Sequence, residues 1–235
     1  MKLLAFDTST ETMSIAVGDG AQLWEHTGDG GAKASATLIP AILSLLKQAG
    51  LALGELDGIA FGRGPGSFTG LRTACSVAQG LAFGAGVKVL PVDTLLALAE
   101  EARHRHGASR IVAALDARMD EMYIARYDFS SAAAAPDAEP ELVRPEALQV
   151  PPGWALAGNV FNAYGDRLAT GNDAAMSRID ALPTAAAMLR LAPSLIAAGH
   201  AVDADHALPR YIRDKVAKTT VERAAERAAI ADITP

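Results

Sequence analysis

A single cysteine, Cys75, stands in the 235-residue sequence, so no disulfide closes within the chain and no thiolate zinc site can be assembled. That usage fits a reducing cytosol, and Cys75 itself is expected to be a small buried apolar side chain in a helix. Aromatic residues are scarce, with two Trp, four Tyr and six Phe. Alanine is abundant, so close packing of small side chains must replace large anchors in the core. None of the five histidines, His26, His104, His106, His200 and His206, forms a His-x-x-x-His or His-Glu-x-x-His pair. A two-histidine metal site on one helix is therefore unsupported. No run of about 18 apolar residues occurs, so no membrane-spanning helix is expected. Asp7 interrupts the opening apolar residues too early for a signal peptide. Basic clusters are also missing, and net charge is −6. Such a surface does not draw in a phosphate backbone; if the protein serves RNA, a partner is expected to hold it.

Half of the residues are hydrophobic and a fifth are charged, the balance of a globular chain. A chain of this size buries roughly 70% of its unfolded surface. Residues 2–6 read as a buried strand ending at Asp7, residues 12–17 alternate as a half-buried strand, and Gly18-Asp19-Gly20 turns the chain into a third strand over 22–27. This opening meander separates the chain from a pure Rossmann domain, which passes from its first strand into a helix. A helix follows with Pro40 early and Gly50 as its stop. Residues 59–61 read as a strand, 62–66 as a glycine-rich turn, 68–83 as a helix, 87–90 as a strand and 94–106 as a helix. From residue 109 the theme of strand, acid, short turn, strand recurs in 110–116 and 121–127, which points to two related halves. Residues 130–140 read as an exposed loop, 154–158 as a strand, 184–198 as a helix and 221–230 as a polar terminal helix.

Three segments carry residues suited to chemistry. Gly62-Arg63-Gly64-Pro65-Gly66-Ser67-Phe68-Thr69-Gly70-Leu71-Arg72 runs from a strand through glycines into a helix. Its backbone N–H groups suit an anion at the helix N-terminus, or the glycines serve a tight structural turn with Ser67 as helix cap. It is neither a Walker loop, lacking the lysine, nor a dinucleotide fingerprint, whose third glycine is missing. Asp7-Thr8-Ser9-Thr10-Glu11 places an acid and hydroxyls at a strand end, where an actin-like ATPase holds Mg²⁺ and phosphate; a hairpin turn satisfied by Asp7 and Ser9 is the plain alternative. Asp116 and Arg118 read as a turn with an ion pair. The candidates for ligand contact are Asp7, Ser9, Arg63 and Ser67.

Two helices carry stripes. Gly70, Ala74, Ala78 and Ala82 recur every four residues, and Leu38, Ile42, Leu45 and Ala49 line one side of the preceding helix. Small-residue ridges admit a second helix at close range, so together these faces would build half of a four-helix interface. The alternative is that both stripes face their own sheet.

Taken with Pro209-Arg210-Tyr211-Ile212-Arg213-Asp214-Lys215-Val216-Ala217 and with Asp116-Ala117-Arg118-Met119 followed by Tyr123, these runs resemble the TsaB (YeaZ) family from end to end. The resemblance implies an α/β, actin-like (ASKHA, ribonuclease H-like) fold with two related lobes, an N-terminal lobe over 1–106 and a C-terminal lobe over 107–235 whose last helix packs back on the first. It implies a cytoplasmic role in forming N6-threonylcarbamoyladenosine next to the anticodon of tRNAs that read A-starting codons. In that family the chain is a non-catalytic partner that scaffolds and activates TsaD, works with the ATPase TsaE, forms a homodimer when alone and meets tRNA only through the complex. It implies no cofactor and no metal of its own, with ATP or ADP admitted at the interface with TsaD. The expected partner interface is Leu38, Ile42, Leu45, Gly70, Leu71, Ala74, Ala78 and Leu81. Many relatives carry a histidine ahead of the first helix where this sequence has Ala34. The competing functions are an active ASKHA-type ATPase, which needs a second phosphate loop not evident in the later half, and a peptidase, for which no nucleophile–base pair is found.

Overall fold

The computed structural model of the chain describes residues 1–130, 138–168 and 176–213. It opens with β1 (Leu3–Asp7), β2 (Thr12–Gly18) and β3 (Leu23–Asp29), an antiparallel meander. α1 (Ala34–Ala49), β4 (Gly58–Gly64), α2 (Phe68–Ala85), β5 (Lys88–Asp93) and α3 (Thr94–His106) follow. β4 pairs parallel with β1 and β5 with β4, giving the sheet order β3-β2-β1-β4-β5. The second half then supplies β6 (Arg110–Asp116), β7 (Met122–Asp128), β8 (Glu141–Val143), β9 (Ala155–Gly158), α4 (Val160–Tyr164), β10 (Arg178–Asp180) and α5 (Ala185–Ala197). Its order, β8-β7-β6-β9-β10, has the same pairings as the first. The recurring strand–acid–turn–strand theme is the front edge of a repeat of whole sheets.

The sheets are covered on both faces, which explains why β1 is an apolar run with every residue buried rather than an alternating one. Leu4 and Phe6 turn toward α1 and α2, with Ile15, Ile59 and Phe61 beside them. Leu3 and Ala5 turn to the opposite face, toward α3 and α5. That middle layer also receives Ile111, Ala113, Tyr123 and Tyr127 from the second sheet, while Val112, Ile124 and Leu156 face α4. A boundary at 106/107 divides the strands sheet by sheet, but α3 and α5 are shared: α3 packs on β6 and α5 on β1 and β2. α3 carries two adjacent buried acids into this layer. Glu100 and Glu101 meet Arg190 of α5 at 3.0 and 2.6 Å, and Arg103 and Arg105 of α3 complete the group. Burial pushes the Glu101 carboxyl up, but Thr184, Arg190 and Arg105 more than offset it and hold it below the ordinary range.

Several elements differ from the sequence expectation. α1 begins at Ala34, after a 3-10 turn over Gly31–Lys33, so Pro40 lies in its second turn rather than at its entry. Both Pro40 and Ala36 are exposed, so water can take the Ala36 carbonyl that Pro40 cannot bond. β4 continues to Gly64 and β5 to Asp93, because each pairs with a neighbour that continues. The short β8, β10 and α4 carry no period long enough to read. The expected terminal helix over 221–230, and its packing on the first lobe, lie outside the described residues.

Candidate functional site: the interlobe cleft and the outer helix faces

Asp7 ends β1 and is fully buried. The Ser9 N–H and hydroxyl donate to its Oδ1 at 2.8 and 2.6 Å, and the Thr94 hydroxyl donates to Oδ2 at 3.3 Å. A Cβ at Gly62, across the β1–β4 pair, would stand 1.7 Å from Asp7 Oδ2 and 3.2 Å from the Met188 methyl. The carboxylate is thereby closed in by Gly62 and α5. Burial raises its pKa, against the lowering effect of the Ser9 and Thr94 bonds.

The glycine-rich run lies directly on the turn that follows Asp7. A Cβ at Gly66 would meet Ser9 Cβ and the Ser9 carbonyl oxygen at 2.6 Å, and one at Gly70 would meet the Thr8 carbonyl oxygen at 1.9 Å. The Ser67 N–H donates to the Ser9 carbonyl at 2.7 Å, and the Thr8 hydroxyl donates to the Gly70 carbonyl at 2.7 Å. The two segments read separately in the sequence are thus one backbone-to-backbone contact, and the glycines serve close approach. Ser67 caps α2 through a long 3.5 Å bond from the Gly70 N–H and is exposed. Arg63 grips Asp93 with two bonds, 2.6 and 3.2 Å.

Residues 201–213 return from the second half across the first. Val202 exchanges backbone bonds with Val89, the Ala207 carbonyl accepts from Gln79 and Cys75, and the Arg210 N–H donates to the Arg63 carbonyl while its guanidinium joins Asp93. The Tyr211 ring lies 5.4 Å from Phe68, and its hydroxyl accepts from Arg72. Arg213 then reaches the β6–β7 turn, donating to the carbonyls of Ala117 and Arg118 at 3.0 and 3.2 Å and to the Glu121 carboxylate at 2.6 Å. That turn holds Arg118, Met119 and Asp120 all in the left-handed region, at φ 61°, 57° and 59°, which costs on the order of 1 kcal/mol or more per residue. Behind it, Asp116 accepts from the Tyr164 hydroxyl at 2.7 Å and pairs with Arg118 at 3.0 Å. Burial, then the bond to Asp116, raises the Tyr164 pKa.

Between these parts lies a cavity of about 450 Å³, walled by the Ser9–Glu11 turn, the start of α2, the β6–β7 turn, Asn159 and residues 210–213. It takes in Ser9 and Ser67 of the expected ligand contacts; Asp7 and Arg63 do not line it. Among the described residues no group of three His, Cys, Asp or Glu side chains is placed to hold a metal ion. The expected turn and ion pair at Asp116 and Arg118 are present; Tyr123 entered the sequence reading only with the family resemblance, and neither Asn159 nor the left-handed backbone of the turn was foreseen. The turn contains no Gly or Asn to announce it, and Asn159 joins the site only through strand order.

The expected partner interface needs correction. Leu38, Ile42, Leu45, Gly70, Leu71, Ala74 and Ala78 are buried within this chain, facing the first sheet or the Thr8 turn, and Leu81 alone is half-buried. The α2 stripe is small because α2 sits close on its own sheet. The outward faces are others: Ile39 and Leu43 on α1, and Gly80, Phe83 and Gly84 on α2, with Phe83 86% exposed. A Cβ at Gly80 or Gly84 would meet nothing within 4 Å among the described residues.

Paired five-stranded sheets of identical order, with a cleft between them and helices shared across the middle, define the actin-like two-lobed class. The family model of TsaD, tRNA N6-adenosine threonylcarbamoyltransferase, matches residues 31–221. The tRNA threonylcarbamoyladenosine biosynthesis protein TsaB of Escherichia coli K12 is 34% identical over 92% of this chain and 96% of its own. TsaB of Haemophilus influenzae is 36% identical over 92% and 95%. The solved structure of YeaZ from Pseudomonas aeruginosa superposes with a TM-score of 0.81 at 39% identity, over 90% of this chain and 99% of that one. The chain belongs to the TsaB (YeaZ) family.

Proposed function

We propose that this chain acts in the cytoplasmic synthesis of N6-threonylcarbamoyladenosine in tRNA as a non-catalytic partner that docks on and activates TsaD, with TsaE as a further component. The observation that carries the reading is the use made of Asp7 and the glycine run. In an active two-lobed phosphotransfer enzyme these positions face the ligand; here Asp7 is closed in by Gly62 and Met188, and Gly66 and Gly70 press against the Ser9–Thr8 backbone. The docking surface in this reading is the outer face of α1 and α2. Glycine in a helix interior costs about 1 kcal/mol against alanine, and nothing among the described residues requires it at Gly80 or Gly84. A partner helix approaching closely there supplies the reason, and Ile39, Leu43 and Phe83 supply apolar area. The same face serves self-association when TsaD is absent, and ATP or ADP, where involved, sits at the junction with TsaD.

Two measurements test this. Depleting the protein in its source cell and analysing tRNA nucleosides by mass spectrometry should show loss of N6-threonylcarbamoyladenosine; an unchanged level refutes the role. A Leu43→Glu, Gly80→Leu chain should remain folded and elute apart from TsaD in size exclusion. An intact complex would place the docking face elsewhere.

A further inference from the structure

We propose that the interlobe cavity binds a small organic anion, a carboxylate or phosphate carried on an apolar or flat body, with Tyr123 as its anchoring donor. The inference goes beyond docking on TsaD and concerns the chain alone. Tyr123 is only 8% exposed, and its hydroxyl has no hydrogen-bond partner among the described residues. The Tyr123 hydroxyl is not itself fully enclosed. The Tyr123 hydroxyl therefore keeps contact with open space, and the space its side chain lines is the cavity. A buried tyrosine left without an acceptor is a cost unless a ligand supplies one.

The other polar groups of the lining are spare donors. Asn159 accepts from the Asp116 N–H through Oδ1, which fixes its amide and leaves its NH₂ without an acceptor among the described residues. The Phe68 N–H opens the first turn of the 18-residue α2 with no partner among the described residues, at its positive end. The Arg118 guanidinium, 80% exposed, spends one N–H on Asp116. The acceptors are largely spent: Asp116 already receives Tyr164, the Arg118 N–H and the Arg118 side chain, which leaves Glu11 at the rim. Surplus donors select a ligand rich in acceptors. The volume, about 450 Å³, far exceeds a bare phosphate and falls in the range of small-molecule sites. Pro65, Leu71, Leu115, Met119 and Ile212 give the body an apolar wall, and Tyr211 with Phe68 gives it a flat one. The strained turn at Arg118–Asp120, held open by Arg213, keeps this wall in place.

The full chain without partners should be titrated by NMR or calorimetry with two matched pairs: adenosine monophosphate against adenosine, and N-acetylleucine against N-acetylleucinamide. At least one acid should bind at micromolar to low millimolar concentration and about tenfold more tightly than its uncharged counterpart. The acid that binds identifies the phosphate or the carboxylate source. Tyr123→Phe keeps the ring and should weaken that acid about tenfold, the loss of one hydrogen bond to a charged group. Asn159→Asp keeps the oxygen that serves the Asp116 N–H, replaces the donor with a charge and should abolish binding. The proposal is overturned if neither acid binds, if the uncharged compounds bind equally well, or if the folded Tyr123→Phe chain binds unchanged.

Discussion

Replacing Gly70 by alanine should reverse the sign that a glycine-to-alanine change has in most helices. In an open helix the substitution stabilises by about 1 kcal/mol through reduced backbone freedom. At Gly70 the new methyl would stand 1.9 Å from the Thr8 carbonyl oxygen and 3.3 Å from the Gly31 Cα. Both neighbours are backbone, so no side chain can swing aside, and restoring a 3.0 Å separation moves α2 from the Thr8 turn by more than an ångström. Overpacking of this kind costs about 1–3 kcal/mol. The same shift loosens the buried 2.7 Å bond from the Thr8 hydroxyl to the Gly70 carbonyl, about 1 kcal/mol more. Less the helix gain, the net loss is about 1–3 kcal/mol, or roughly 2–12 °C in Tm for a chain of this length. Gly80→Ala, ten residues along the same helix and open, is the matched control and should gain up to about 1 kcal/mol. Urea and thermal unfolding of the two variants beside the parent measure the difference. If Gly70→Ala unfolds with the parent or above it, the glycine run is not held by backbone contact with residues 7–11, and the argument against an open phosphate loop there fails with it.

Asp7→Asn removes a buried charge from a site whose folded pKa is raised. The parent should therefore lose stability relative to the variant as pH rises above the ordinary 3.8, and unfolding curves from pH 4 to 8 should diverge in that direction. A gap that stays constant or closes with pH would be inconsistent with the buried carboxylate. Arg190→Ala leaves Glu100 and Glu101 buried beside Arg103 and Arg105 alone, and should cost toward the low end of about 3–5 kcal/mol; denaturation within 0.5 kcal/mol of the parent would contradict the pairing. Arg213→Ala should speed amide exchange at Ala117 and Glu121, whose N–H groups close the left-handed turn, while exchange in β1 stays slow. Arg213→Lys should rescue little, because the forked contact needs a planar guanidinium.

The opening strands, the Gly50 stop and the repeat of halves were readable because period and turn chemistry are local signals. β1 and β6 are bounded clearly enough by Asp7 and Asp116, and α3 is long enough, to be drawn from the sequence. The faces of α1 and α2 were not. Ala74 and Ala78 are small because a sheet lies under them, and a docking helix would ask for the same residues, so spacing alone cannot choose between them. The outward Gly80 and Gly84 held the better signal: a helical glycine that no neighbour requires. Asp7 is closed in by Gly62 through parallel pairing across 55 residues, which no window of sequence reveals. Residues 201–213 have no period at all; their course is set by Val89, Asp93 and the β6–β7 turn.

The sharing of α3 and α5 between the sheets bears on how the chain emerges during synthesis. All five strands of the first sheet are complete by Asp93, yet the helix that covers one of its faces spans Ala185–Ala197. At the usual elongation rates of about 5–20 residues per second, the ribosome needs roughly 5–20 s to deliver that cover. Through that interval Leu3, Ala5, Ala60 and Leu90 have only α3 to shelter them, and a release at mid-chain would leave a sheet with a bare apolar side rather than a smaller working lobe.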